Sequence, residues 1–271
     1  MGHIVDETTR SMVRHVLITG GSSGIGYALS LKFAEEGYGL MWVSNDGQQL
    51  EEASLRIKSD FPMLSLHTLC ADLTVPNQCD LVFEWAIKLG DVEVLVNCAG
   101  FGTFGHLHTI NESVEMSMIH LNVLSMYRLT RLFSQVMLRK GHGRIANIAS
   151  NTVLQPVPHM CTYAATKSFV NHFSLSLHEE LRGTGITVTT IIPPATRDTQ
   201  FQHKAGMDGV KTFRGLLTAS ADEVASRAYK GIMRGDRMVY GGWKLQFSRP
   251  LAAILPNRVI QWLIKKELDR N

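Results

Sequence analysis

Three observations predict a single α/β domain built on a doubly wound parallel sheet. Short apolar or β-branched runs alternate with longer helical stretches along the chain. The runs are nearly continuous in apolar residues, the pattern of strands covered on both faces. No linker, repeat or low-complexity segment divides the 271 residues. Ligands in such a fold bind beyond the carboxyl ends of the strands.

The elements follow in order. RHVLITG (14–20) is the first strand and GIGYALSLKFAEEGY (24–38) the helix after it. GLMWVS (39–44) is the second strand, GQQLEEASLRIKSDF (47–61) its helix, and LSLHTLCADL (64–73) the third strand. NQCDLVFEWAIKLG (77–90) returns as a helix to the fourth strand, VEVLVNCAG (92–100). One long helix is expected over 114–140, then a fifth strand, GRIANIAS (143–150). A helix around Tyr163 precedes the sixth strand, GITVTTIIPP (185–194). From 201 to 220 the rhythm lapses, as in a lid or binding loop or a short pair of helices. Ser220 with Glu223 three residues on is a capping-box pattern opening the next helix, and RMVYGGW (237–243) reads as a last short strand. The domain therefore spans 14–245, between a polar extension (1–13) and an amphipathic tail (246–271).

A 45% hydrophobic and 19% charged composition suits a globular protein with an ample core. The net charge of +3, with no long basic run, excludes a nucleic-acid surface. Cys70, Cys79, Cys98 and Cys161 form no C-x-x-C pair, which points to reduced thiols. The polar start lacks an apolar signal region, and no run approaches the ~18 apolar residues of a membrane span. A cytoplasmic protein is expected. His106 and His108 form an H-x-H pair without nearby acids or cysteines, so no metal site is expected.

The first strand leads into TGGSSGIG (Thr19 to Gly26), directly before a helix. Gly20, Gly24 and Gly26 let the backbone turn tightly and approach a pyrophosphate, whose charge then sits at the helix N-terminus. Ser22, Ser23 and Ile25 complete this cradle. Asp72 and Leu73 end the third strand, where a carboxylate can accept from an adenine amino group. Asn97, Ala99 and Gly100 end the fourth, with small residues that let a cofactor lie close.

Tyr163 and Lys167 stand four apart, on one face of a helix. Ser150 ends the fifth strand, joined to Tyr163 by a loop containing Pro156 and Pro158. Ser150 can donate to a carbonyl oxygen, and Tyr163 can exchange its phenolic proton as a hydride moves. Bringing a phenol from its usual pKa of about 10 to near 7 takes roughly 4 kcal/mol in favour of the phenolate. Cationic Lys167 supplies attraction of the right sign, as does an oxidised nicotinamide.

Together, TGGSSGIG, NCAG, Asn122 in HLNVL, Ser150 in NIAS and Tyr163-x-x-x-Lys167 resemble the short-chain dehydrogenase/reductase family over about 14–245. The resemblance implies a Rossmann-like domain, a Lys167 bond to the nicotinamide ribose, and an Asn122 that helps to hold a relay water. It also implies a homodimer or homotetramer. NCAGFGTFG and the tail LAAILPNRVIQWL look like a branch of NADPH-dependent reductases for acyl, steroid or other apolar ketones. The expected activity is interconversion of a ketone or aldehyde with an alcohol, with catalytic residues Asn122, Ser150, Tyr163 and Lys167.

Besides Cys98, where the family's motif usually has a second asparagine, the chain departs from the family pattern in two places. The second strand ends in Ser44 and Asn45, where an acid for NAD or a basic residue for NADP is usual. Both can donate to a 2′-phosphate, whereas Asp46, following, opposes one; it is mostly the resemblance to the NADPH-dependent branch that makes NADP the expectation, with NAD possible. After the sixth strand, Pro193 keeps the family's proline, Pro194 replaces its glycine, and Asp198 stands at its threonine. Thr196 or Thr199 is then left to supply the hydroxyl. These departures motivate an alternative: a nucleotide-sensing protein with the fold and little catalysis. His159 and Cys161 flank the Tyr163 helix, as pocket lining or ordinary packing. The tail's mixture of apolar and basic residues fits a partner subunit, a pocket cover or a membrane surface.

Overall fold

The computed structural model describes residues 13–210 and 218–246. The polar extension, the middle of the expected lid and all but the first residue of the tail lie outside these residues. Seven strands form one parallel sheet: β1 (His15–Thr19), β2 (Gly39–Ser44), β3 (Leu66–Cys70), β4 (Val92–Asn97), β5 (Gly143–Ile148), β6 (Ile186–Ile192) and β7 (Met238–Tyr240). Their order is β3-β2-β1-β4-β5-β6-β7. The order reverses between β1 and β4, which opens a crevice at their carboxyl ends.

Alternation along each strand divides the core into two layers. Ile18, Trp42, Val96 and Ile148 face one way, beneath α1 (Gly24–Glu35) and α8 (Ala221–Arg234). Leu17, Met41, Leu95 and Ile145 face the other, beneath α3 (Gln78–Leu89) and α5 (Met126–Lys140). Successive strand residues point to opposite faces, and both faces are apolar here, so the strands read as unbroken hydrophobic runs. The remaining helices are α2 (Gly47–Asp60), α4 (Glu112–Ile119), α6 (Cys161–Glu180) and the single turn α7 (Phe201–Lys204).

The helix expected over 114–140 is corrected. It is α4 and α5 joined by a π-helical segment, His120–Ser125, with Asn122 inside it. Ser125 Oγ donates to His120 O at 2.9 Å and to Leu73 O at 2.6 Å, fixing the widened turn against the loop after β3. Such bulges recur at functional sites because they re-aim a side chain that a regular helix would direct elsewhere. The third strand is also shorter than expected. It ends at Cys70, so Asp72 and Leu73 lie in the loop beyond it. The capping box of α8 is half realised: Ser220 Oγ accepts from Glu223 N at 3.1 Å.

Candidate functional site

At the switch point, the turn from β1 into α1 is closed by contact. A Cβ on Gly26 would lie 2.2 Å from Gly20 O, and one on Gly20 would lie 3.1 Å from Ala99 Cα. Gly24 has φ +52°, in the region that favours glycine. No side chain caps α1, and its first turn contains no acid. That leaves the positive helix end to an anion, which fits a pyrophosphate. The NCAG turn is held over the loop by Thr19, whose Oγ1 accepts from Cys98 N at 3.1 Å and Ala99 N at 3.0 Å. The sequence reading passed over this buried threonine because its position in the strand gives no sign of its partners.

At the adenosine end, Ser44 Oγ accepts from Asp46 N at 3.3 Å. Asp46 turns its carboxylate onto Gln49 N at 2.9 Å as the N-cap of α2. Asp72 spends one carboxylate oxygen on Thr74, accepting from its N at 2.9 Å and its Oγ1 at 2.8 Å. It therefore braces a turn. The Leu73 side chain packs among the buried apolar residues beneath α3 and α5.

At the reacting end, α6 brings Tyr163 and Lys167 beneath the ends of β4 and β5. Lys167 Nζ donates to Ile148 O at 2.9 Å and lies 5.9 Å from the Tyr163 ring centre. Burial holds its ammonium down, to a pKa of about 8. Burial pushes the Tyr163 phenol up, to about 12, while its hydrogen bond with Ser150 pulls the other way. Ser150 Oγ accepts from Thr152 N at 3.2 Å as the cap of a short 3-10 turn, and donates to Asn151 Oδ1 at 3.3 Å. The capping role and proximity to Tyr163 thus coexist in one hydroxyl.

Asn122 joins the loop after β4 to α6. Its Oδ1 accepts from Phe101 N at 3.2 Å; its Nδ2 donates to Phe101 O at 2.9 Å and to Thr166 Oγ1 at 3.1 Å. Thr166 in turn donates to Tyr163 O at 2.7 Å. Thr166 is thus a positioning contact that the Tyr-Lys spacing did not single out. A second polar chain anchors α6 to the sheet. Asn97 Nδ2 donates to Asn147 Oδ1 at 2.8 Å, and Asn147 Nδ2 donates to Ser174 Oγ at 2.9 Å. Buried amides paired in this way fix one register of helix on sheet.

An apolar cluster adjoins the phenol: Phe104, Met118, Val157, Met160 and Met207 pack with Tyr163. Phe201, opening α7, sets its ring centre 5.3 Å from that of Tyr163. A Cβ on Gly102 would lie 2.9 Å from Phe201 and 3.0 Å from Tyr163, so this glycine gives both rings room. The segment before α7 reaches back to the glycine loop. Thr199 Cγ2 would be 3.3 Å from a Cβ on Gly24, whereas Thr196 is buried and donates to Pro194 O at 2.9 Å. Of the two candidate hydroxyls, Thr199 lies at the loop. Pro193 and Pro194 pack on Gly241 and Gly242, and Asp198 holds φ +62°, unusual for a residue other than glycine.

His106 and His108 stack at 5.6 Å, and His159 meets His106 edge-on at 4.5 Å. Among the described residues no group of three or more potential ligands is arranged to hold a metal ion. No described helix is long and apolar enough to cross a membrane.

Residues 14–210 match the family model for short chain dehydrogenase. The chain is 32% identical over 181 residues to the uncharacterized oxidoreductase YvrD of Bacillus subtilis (strain 168), covering 67% of this chain and 68% of that one. It is also 32% identical over 181 residues to a very-long-chain 3-oxoacyl-CoA reductase of Macaca fascicularis, covering 65% of this chain but only 57% of that protein. A short-chain dehydrogenase from Sphingobium yanoikuyae, solved in complex with NADPH, superposes with a TM-score of 0.80 at 29% identity, over 93% of this chain and 96% of that one. Fold and relatives together define an NAD(P)-dependent oxidoreductase of the CH–OH/C=O class. The chain belongs to the short-chain dehydrogenase family.

Proposed function

We propose that this protein interconverts a ketone or aldehyde with an alcohol on an apolar or acyl-type substrate, using NADP(H) in preference to NAD(H). The observation that carries the reading is the meeting of Ser150, Tyr163 and Lys167 beside an apolar wall, next to a glycine loop whose helix end is free for a phosphate. The name of the macaque relative supports an acyl substrate, and the NADPH bound to the Sphingobium enzyme supports the phosphorylated coenzyme.

The nicotinamide coenzyme, when bound, supplies the hydride in reduction and accepts it in oxidation. Ser150 Oγ turns from Asn151 to donate to the carbonyl oxygen and holds it beside Tyr163. The Tyr163 hydroxyl gives its proton to that oxygen as the carbonyl carbon gains the hydride; the reverse movement forms the ketone. Lys167 stabilises the resulting phenolate and would hold the ribose of a bound coenzyme. Asn122 belongs to the relay as a positioning residue, because both hydrogens of its amide are already given to Phe101 and Thr166. The apolar wall excludes water and accepts an alkyl or ring substituent.

A homo-oligomer in the cytoplasm belongs to the same reading. Exposed Tyr127 and Phe169 flank Phe173, which lies 5.8 Å from each ring and leaves an aromatic face for a second copy. One observation favours the sensing alternative: Asp198, strained and acidic, lies next to the Thr199 contact on the phosphate loop.

The test is oxidation of NADPH, with NADH in parallel, across medium-chain 3-oxoacyl, steroid and small diketone substrates. Tyr163→Phe should lose about 10³-fold or more in turnover, within the range for a removed acid–base group, with coenzyme affinity nearly unchanged. Turnover in that variant above a tenth of the parent's would remove Tyr163 from the reaction. Coenzyme binding with no hydride transfer to any of these carbonyls would favour the sensor.

A further inference from the structure

In a doubly wound fold the adenosine ribose of a dinucleotide sits at the end of the second strand, where an acid reads a free 2′-hydroxyl or an arginine a 2′-phosphate. Neither residue is present here, since β2 ends in Ser44 and continues with Asn45. Asp46 is turned onto the α2 backbone. Arg56, a cation further along α2, is committed to the face of Tyr27, with its guanidinium 4.1 Å from the ring centre. Ser44 and Asn45 offer only neutral donors at the strand end, and a further group beside them can help to distinguish the two coenzymes.

Gln49 is placed to do so. It is partly buried, in the first turn of α2, and its side chain crosses from that helix to the glycine loop. Ser22 Oγ donates to Gln49 Oε1 at 2.9 Å. On the other side, Gln49 Nε2 donates to Gln200 Oε1 at 3.4 Å, close to the limit of a hydrogen bond. One end of the amide is therefore fixed by the phosphate loop. The other carries N–H donors in a weak contact that a more basic acceptor can displace. A phosphate oxygen is such an acceptor, and bonds to a charged partner are the stronger ones. The neighbouring Gln48 is turned away, donating to Glu52 at 2.8 Å.

We infer that Gln49, anchored by Ser22, is the specificity-determining residue that reads the 2′-phosphate of the coenzyme's adenosine ribose. The inference rests on the proposed coenzyme use and names the side chain that sets its preference. On phosphate binding, the Gln49 amide exchanges its long bond to Gln200 for one to a phosphate oxygen. Discrimination is then made by neutral donors and the end of α2 rather than by a buried cation.

The experiment titrates the full-length protein by calorimetry with 2′,5′-ADP and with 5′-AMP, which differ in that phosphate alone. The parent is compared with Gln49→Glu, Gln49→Ala and Gln48→Glu. Glutamate at position 49 occupies the third position of a helix capped by Asp46, where an acid is favourable, so that variant is expected to fold. The parent should prefer 2′,5′-ADP by about tenfold or more. Gln49→Glu should erase roughly tenfold of that preference through the charge now facing the phosphate, and Gln49→Ala about threefold to fivefold. Gln48→Glu, carrying the same charge on another face, should change it less than about threefold. Equal effects of the two glutamates would reduce the result to general charge and overturn the inference, as would an unchanged preference in Gln49→Glu. A parent that binds both fragments equally would also overturn it, while Tyr163-dependent hydride transfer could still stand. A parent that binds neither fragment and no dinucleotide would remove the proposed function as well.

Discussion

At the amino ends of the central strands, charge is paired. Glu93, second residue of β4, accepts from Arg144 at 2.6 Å and from the Tyr38 hydroxyl at 3.1 Å, with Arg14 3.7 Å from its other oxygen. Lys140 and Asp91 form an ion pair nearby. At the carboxyl ends the pairing stops. Lys167 is just as buried, yet its described hydrogen bond goes to a main-chain carbonyl, and no ion pair with a carboxylate is found among the described residues. The amino end uses electrostatics to hold strands in register. The carboxyl end keeps a cation and a phenol desolvated, a costly arrangement that makes sense where a bound coenzyme and a developing oxyanion complete it.

The difference is broken most directly at Lys167. Lys167→Met keeps the length of the apolar stem and removes the charge. Turnover should fall about 10³-fold, while the fold should gain stability at neutral pH, less about 1 kcal/mol for the donor that Ile148 O loses. The sign follows from the folded pKa of about 8 against an ordinary 10.5. Between those values the unfolded chain holds the proton that the folded protein releases, so parent stability rises with pH across that window. Below pH 8 the full penalty applies, roughly 3 kcal/mol at 1.36 kcal/mol per pH unit. Urea unfolding at pH 7.5 should therefore favour the variant, with the gap closing toward pH 10.5. A gap independent of pH would show that the ammonium is not the source of the strain.

The opposite substitution acts at the other end. Glu93→Gln keeps an acceptor for Tyr38 but deprives two arginines of their partner. It should cost about 2 kcal/mol or more, with kcat per folded molecule within about twofold of the parent, since general effects of distant sites add separately. Loss of activity without loss of stability would mean that the two ends are coupled through β4. A sharper version uses the phenol itself. Ultraviolet titration of the parent against Tyr163→Phe should show no Tyr163 phenolate below about pH 11 in the free protein, given a pKa of about 12. Oxidised coenzyme should bring that midpoint down. A phenolate near pH 7 without coenzyme would place the whole stabilisation in the protein.

The sequence displayed these two ends unequally. The strands of the central sheet were legible because both faces are buried, and the resulting apolar runs are bounded by glycines and polar turns. The spacing of Tyr163 and Lys167 puts them on one helical face, but it is common by chance, and only the company of the glycine loop, Asn122 and Ser150 singled the pair out. Asn122 could be found by its motif, but the π-helical turn that aims it could not. The extra residue in that turn changes the hydrogen-bond ladder without breaking the apolar pattern that made 114–140 look like one helix. The apolar cluster around Tyr163 was hidden for a different reason: Phe104, Met118, Met160 and Met207 come from four separate segments. Gln49 was hidden too, as a polar residue in an ordinary helix start, and only Ser22 and Gln200 across space give it meaning.

The smallest expected effect concerns the strand end where the chain departs from its family, and it separates binding from folding within a few residues. Thr196 and Thr199 both offer hydroxyls in the segment after β6, but in different company. Thr196 is buried with its hydroxyl on Pro194 O, whereas Thr199 donates to Thr196 O at 3.2 Å and sets its methyl against Gly24. Thr199→Val keeps the methyl contact and removes the donor that a pyrophosphate oxygen could claim. Coenzyme Kd should weaken about threefold to tenfold, equivalent to one modest hydrogen bond, with melting temperature unchanged. Thr196→Val should do the reverse. It leaves a buried carbonyl without its donor, at a cost of about 1 kcal/mol to the fold, and barely moves Kd. If Thr196→Val weakened the coenzyme and Thr199→Val did not, the hydroxyl would be supplied from the buried position after rearrangement of the Pro193–Pro194 turn. Phosphate binding would then depend on the packing of that turn against Gly241 and Gly242 rather than on the surface segment over the loop.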